Sequence, residues 1–267
     1  MEEAGTLLAG ILLVLAVIAT VVAFVIFFMR EVLGLTGLIG HSITPLPNVD
    51  RVLLEQWNPF YRNLDPRSRK RFARRVKEIM FEKEWIGKGI TVTREMRVRI
   101  AGAAAQVTFG FDRLLLLHFS HILIFPGEYV NKRTGHRHLG EVMPKRGTIV
   151  LSWEHFQEGY AAPSDAHNVG LHEMAHALWF ENEIENGEDD FLRPDLLGYW
   201  CALADVEITR IKNGEDHFFR DYAGTNQEEF FAVAVEYFFE RPVEFKAALP
   251  SLYGSLAGLL KQDTAGS

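Results

Sequence analysis

Hydrophobic and polar positions change rhythm three times along the chain. From Leu7 to Met29 there is no charged residue, and only Gly10 and Thr20 interrupt an aliphatic and aromatic run. Such a helix would be about 34 Å long at about 1.5 Å per residue, enough to cross a hydrocarbon core of about 30 Å. A signal peptide would need a basic start and a small-residue cleavage site. The chain opens Met1-Glu2-Glu3 and the run closes on Phe27-Phe28-Met29-Arg30. The pattern therefore predicts one transmembrane helix over 6–29. Residues 30–50, with Gly34, Gly37, Gly40, Pro45 and Pro47, read as a linker.

The rhythm then becomes helical. Phe72, Val76, Ile79 and Met80 form a one-sided apolar stripe. Arg67, Arg69, Lys70, Arg71, Arg74, Arg75 and Lys77 occupy the rest of that helix and are expected on a solvated face. A second helix is predicted over 92–110, with Thr93 as its N-cap. Residues 114–128 and 140–153 read as strands, clearest at Gly147-Thr148-Ile149-Val150-Leu151-Ser152-Trp153. From 165 onward the pattern is helical again, over 165–181, 195–212, 227–240 and 243–261. Pro242 separates the last two, and Pro250 marks a kink or boundary.

Charge and cysteine content narrow the function. The 267 residues hold 28 Lys and Arg against 35 Asp and Glu, a net charge of −7. Phosphate contacts need a basic surplus, so no direct nucleic-acid binding is expected. The single cysteine, Cys201, excludes an internal disulfide framework and a cysteine-based zinc finger. The tail before the apolar run has no Lys or Arg, whereas Arg30 and Arg51 follow it. The positive-inside rule then places a single-pass chain in the cell membrane, N-terminus outside and body in the cytoplasm.

The chemistry concentrates in Gly170-Leu171-His172-Glu173-Met174-Ala175-His176. On a helix, residues four apart share a face, so His172 and His176 can bind one zinc ion. Glu173 can then reach a water at that metal and act as general base. The flanking Leu171, Met174, Ala175 and Leu178 predict a buried helix, and two buried imidazoles need partners that a metal would supply. A hydrolytic zinc site keeps a third protein ligand and one open position. The apolar helix over 227–240 offers Glu229 and Glu236, two turns apart on one face. Spacing does not choose between them. His118, His121, His136 and His138 lack a glutamate at the right offset and read as surface or packing residues. Ser164-Asp165 is expected in the N-cap region of the motif helix, and the acidic stretch from Glu181 to Asp190 as a solvated loop.

With these residues in place, the body from about Trp57 to Asp263 resembles the zinc-dependent peptidase family named after Mlc titration factor A. The parallels are Glu141-Val142 before the 147–153 strand, the His-Glu-Met-Ala-His helix and Asp221-Tyr222-Ala223. They continue through Glu229-Phe230-Phe231-Ala232-Val233, Glu236-Tyr237-Phe238-Phe239 and Pro250-Ser251-Leu252-Tyr253. The resemblance implies an α+β fold, a mainly helical zincin-like metallopeptidase domain with a small sheet, here over 51–263. It implies one Zn2+ held by His172, His176 and Glu229, with Tyr222 stabilising the tetrahedral intermediate. Glu236 is then left to orient a ligand histidine through its other ring nitrogen. The chain departs from the family pattern in Ala177-Leu178-Trp179-Phe180, where Gln-Leu-Asp is typical, and in the anchor, which the soluble founding member lacks. The expected function is hydrolysis of a peptide or protein substrate by a membrane-anchored zinc peptidase. The rival is a zinc-stabilised regulatory protein that sequesters a partner such as a transcriptional regulator.

Overall fold

A computed structural model describes Gly10 and residues 13–25, 45–112, 114–130, 135, 137–184 and 191–266. The chain divides into two units, Met1–Pro45 and Leu46–Ser267. In the first, residues 13–25 are helical, and Leu13, Val14, Val17, Ile18 and Phe24 are exposed. The rest of the span expected over 6–29 lies outside the described residues, as does the linker up to 44. Among the described residues no helix is long and apolar enough to cross a membrane.

The second unit opens with α1 (Asn48–Trp57), which starts at Asn48, inside the segment read as linker, directly after Pro47. Next come α2 (Pro59–Asn63) and α3 (Pro66–Glu82). Asp65 caps α3 by accepting from the amides of Arg67 and Ser68, with Pro66 at its first position. Phe72, Val76 and Ile79 of its apolar stripe are buried and Met80 is partly so, but Arg75 departs from the solvated face. It is 3% exposed and donates to the carbonyls of Thr108, Phe111 and Asp112. Those carbonyls lie just past the end of α4 (Arg94–Val107), where helical partners run out. A guanidinium with five donors can serve several at once. α4 carries the expected Thr93 cap, and the small side chains of Ala101 and Ala103 to Ala105 are buried along it.

The same unit contains a four-stranded sheet. It comprises β1 (Glu84–Gly87), β2 (His121–Phe125), β5 (Gly140–Met143) and β6 (Thr148–Ser152) in the order β1-β2-β6-β5. β1 and β6 flank β2 in parallel, with Ile122 beside Ile149 and Ile124 beside Leu151. β5 runs antiparallel to β6 at the sheet edge. β6 is buried at every position, so its centre, Ile149-Val150-Leu151, is a continuous apolar run with no alternation. The turn between β5 and β6 needs Gly147, at φ +55°, where a Cβ would meet the His118 carbonyl oxygen at 2.4 Å.

The strands are shorter than the hydrophobicity suggests. Leu114, Leu115 and Leu116 are buried without pairing, and Trp153 already belongs to α5 (Trp153–Ala161). Ser152 caps that helix through the His155 amide and so ends β6. β1, α5 and the small hairpin of β3 (Tyr129–Val130) and β4 (Arg137–His138) were not anticipated.

Five further α-helices follow among the described residues: α6 (Val169–Glu183), α7 (Pro194–Lys212), α8 (Gln227–Glu240) and the pair α9 (Pro242–Ala248) and α10 (Pro250–Leu260), which the two prolines delimit. α6 is central, packed on α4, α5, α8, β5 and β6. That explains why Leu171, Met174, Ala175, Ala177, Leu178 and Trp179 are buried around its whole circumference.

Candidate metal centre

Two helix starts aim the site. Asn168, not Ser164-Asp165, caps α6: its side chain accepts from the Leu171 amide at 3.0 Å. Asn226 caps α8 by accepting from the Glu229 amide at 2.8 Å, which places Glu229 in the first turn facing α6. His172 and His176 lie one turn apart on the α6 face opposite it.

Three ligand atoms converge there. His172 Nε2 and His176 Nε2 are 3.1 Å apart, and Glu229 Oε2 lies 3.1 Å from the first and 3.2 Å from the second. They form the one candidate metal cluster among the described residues. A tetrahedral zinc ion with bonds of about 2.0–2.1 Å sets its ligand atoms about 3.3 Å apart, close to these separations. Two imidazole nitrogens and a carboxylate suit a divalent metal of this kind. The donor set therefore fits a metal ion.

The two acids that spacing left open, Glu229 and Glu236, stand at different nitrogens of His172. Glu236 sits two turns further along the same face and meets the opposite nitrogen of His172: Nδ1 donates to its Oε1 at 2.8 Å. Glu236 is 1% exposed. Burial disfavours an imidazolium at His172, but hydrogen bonds to Glu229 and Glu236 outweigh it and push its pKa up to about 10. Glu229 is held far below the ordinary carboxylate range: both histidines together overcome its partial burial. The negative potential that attracts a proton here would equally attract a dication.

Glu173 is 6% exposed, and its Oε2 has no hydrogen-bond partner among the described residues. Burial raises its pKa, against the pull of His172 and His176. Its carboxylate lies against Gly140 at the start of β5, where a Cβ would stand 2.5 Å from Glu173 Cγ and Oε1. Tyr222 belongs to the short helical turn Asp221–Gly224. It is half exposed, and its ring centroid is 6.1 Å from that of His172. Burial and the charge of Glu229 push its pKa up to about 12. His172, Glu173, Glu236 and Tyr222 line one cavity of about 570 Å3, with Gly140 and His155 on other walls. All six residues singled out from sequence are thus assembled in one place.

Several neighbours were not foreseen. Gly140 and Arg220 carry no local motif, and Asn168 lies just past the expected cap. Glu181 is fully buried and accepts from the His118 amide at 3.1 Å, because α6 runs on to Glu183 and carries it inside. The solvated-loop expectation fails there, while 185–190 lie outside the described residues. His118 and His121 make packing and surface contacts, and His138 stacks on Tyr129. His136 lies outside the described residues.

A small sheet carrying a His-Glu-x-x-His helix, closed by a glutamate from a second helix, defines a metallopeptidase-like domain. The chain belongs to the family of the glucose-regulated metallo-peptidase M90, whose sequence model matches residues 41–261. It is 27% identical over 236 residues to Mlc titration factor A of Serratia proteamaculans, covering 79% of this chain and 88% of that one. Mlc titration factor A of Yersinia pestis is 25% identical over 234 residues, covering 79% and 86%. The uncharacterized protein slr2042 of Synechocystis is 26% identical over 225 residues, covering 78% and 82%.

Proposed function

We propose that the chain is a zinc-dependent peptidase with one Zn2+ held by His172, His176 and Glu229. The observation that carries this reading is the convergence of three ligand atoms within 3.2 Å beside a buried carboxylate with an unpartnered oxygen. Bound there, zinc would polarise the scissile carbonyl and lower the pKa of a water. Glu173 takes the proton of the attacking water and returns it to the leaving amine. The Tyr222 hydroxyl donates a hydrogen bond to the oxyanion as the carbonyl becomes tetrahedral. Glu236 holds His172 by Nδ1, so that Nε2 presents its lone pair to the metal.

The substrate on this reading is a peptide or protein that enters the cavity beside β5. Residues 6–29 anchor the chain in a lipid bilayer, with the body on the cytoplasmic side. The uncharged, mostly apolar run and the basic residues after it support that placement. A second reading has one specific support, the name titration factor carried by the relatives: a zinc-stabilised protein that binds a regulator and cleaves little.

Glu173 separates the two, because it is not a ligand. The test incubates the zinc-loaded protein and its Glu173→Gln variant with a diverse peptide mixture and reads new termini by mass spectrometry. Cleavage by the wild type, reduced about 100- to 10,000-fold in the variant with zinc retained, is expected. No cleavage by a wild type that holds one zinc would leave the binding protein as the reading.

A further inference from the structure

Arg220 lies outside the motif helices, yet its side chain ends on the buried carboxylate of Glu236. It immediately precedes the turn that carries Tyr222. Its Nη2 donates to Glu236 Oε1 at 2.5 Å, the same oxygen that accepts from His172 Nδ1. Its Nη1 donates to the carbonyl of Ala166. Ala166 is fully buried in the left-handed region at φ +58°, and its amide donates to Glu240 at 3.0 Å. The second oxygen of Glu236 accepts from the Asn168 amide at 2.6 Å.

Glu236 is thus gripped from three sides: the ligand histidine, the backbone just before α6, and a guanidinium. A carboxylate that is 1% exposed needs an opposite charge at short range, and Arg220 is the cation the structure places on it. Arginine suits the task because its planar fork can meet a carboxylate and a carbonyl together, which a lysine ammonium does less rigidly.

We infer that Arg220 is a positioning residue: it compensates and aims Glu236, and through Glu236 it fixes the His172 ring at which the metal binds. The inference rests on the zinc site proposed above and adds a residue to it. The same side chain ties the Tyr222 turn to the start of α6, so one contact registers both sides of the cavity.

The test measures zinc affinity of the full chain by competition with a chromophoric chelator. It compares wild type, Arg220→Gln, Arg220→Lys, Glu236→Gln and the Arg220→Gln/Glu236→Gln double variant. Loss of an outer partner of a ligand histidine weakens metal binding about 10- to 100-fold. Arg220→Gln is expected in that range and Arg220→Lys between it and wild type. In the Glu236→Gln background, removing Arg220 is expected to cost little more, because its route to the metal is already cut. The visible spectrum of the Co2+-loaded protein should shift in Arg220→Gln and Glu236→Gln alike. Wild-type affinity in Arg220→Gln would overturn the inference and leave the zinc site standing, as would additive losses in the double variant. Should Arg220→Gln not fold, wild-type affinity and spectrum in Arg220→Lys would overturn it instead. A wild type that binds no zinc would overturn the proposed function itself.

Discussion

α3 and α8 both carry many charged residues at helical spacing, and they use them in opposite ways. On α3, Arg67, Lys70 and Arg74 are exposed, and Arg71 lies over the Phe109 ring at 4.0 Å. Solvent exposure, the Phe109 ring and, for Arg74, the Glu78 carboxylate at 3.8 Å serve these charges one at a time. On α8, Glu236 is almost fully buried between Phe230–Val235 and Tyr237–Phe238, and Glu229 and Glu240 face α6 or the segment before it. Their partners are other charged or polar groups held at hydrogen-bond distance. Charges on the first helix are therefore close to independent, whereas those on the second form one unit. Arg75 sharpens the point, because it is an α3 charge that behaves like one from α8.

The largest expected effect tests how closely the site is packed. Gly140→Ala puts a methyl group within 2.5 Å of the Glu173 carboxylate. The flexible end of Glu173 must move, so the fold should survive while peptide cleavage falls about 100-fold, with zinc retained. Equal turnover in Gly140→Ala and wild type, measured on one peptide, would show that Glu173 need not hold its position.

The next effect breaks the comparison within α3 itself. Arg75→Ala leaves the carbonyls of Thr108, Phe111 and Asp112 without their donor. A loss of about 3 kcal/mol is expected in chemical denaturation. Lys70→Ala on the exposed face should stay within about 0.5 kcal/mol of wild type. Equal losses would erase the distinction between the two kinds of charge.

The smallest effect concerns pH. Burial pushes the Glu240 pKa from an ordinary 4.5 up to about 8, the charge of Glu236 adding to it against hydrogen bonds from Asn168 and Ala166. The folded chain thus keeps a proton that the unfolded chain releases at lower pH. This contribution to stability is fully present below about pH 4.5 and is lost as pH rises through about 8. Melting temperature should fall by a few degrees more in wild type than in Glu240→Gln between pH 6 and pH 9. Parallel pH profiles for the two proteins would remove Glu240 as the cause.

Much of the architecture was legible because periodicity reports burial. The helices over 94–107, 169–183, 194–212 and 227–240 follow from apolar spacing, cap residues and prolines, all of them local properties. The short strands resisted. β1 is four residues long and pairs with β2 across a gap of more than thirty residues, so nothing local marks it. Trp153 looks like the end of a strand until the Ser152 side chain turns the backbone into α5.

The amino-acid sequence by itself determined the set of side chains on offer: two histidines one turn apart, a glutamate between them, and a second apolar helix whose acids had to face something. Covalent order and the 3.6-residue repeat suffice for that. Only the tertiary structure decided where each acid stands. Glu229 and Glu236 share a face, and the placement of α8 across α6 sends one to the Nε2 side of His172 and the other to Nδ1. It also brought Arg220 onto Glu236 and Gly140 against Glu173, contacts between residues 16 and 33 positions apart. No pattern along the chain encodes such pairs, because they exist only after burial has brought distant segments within a few ångströms of one another.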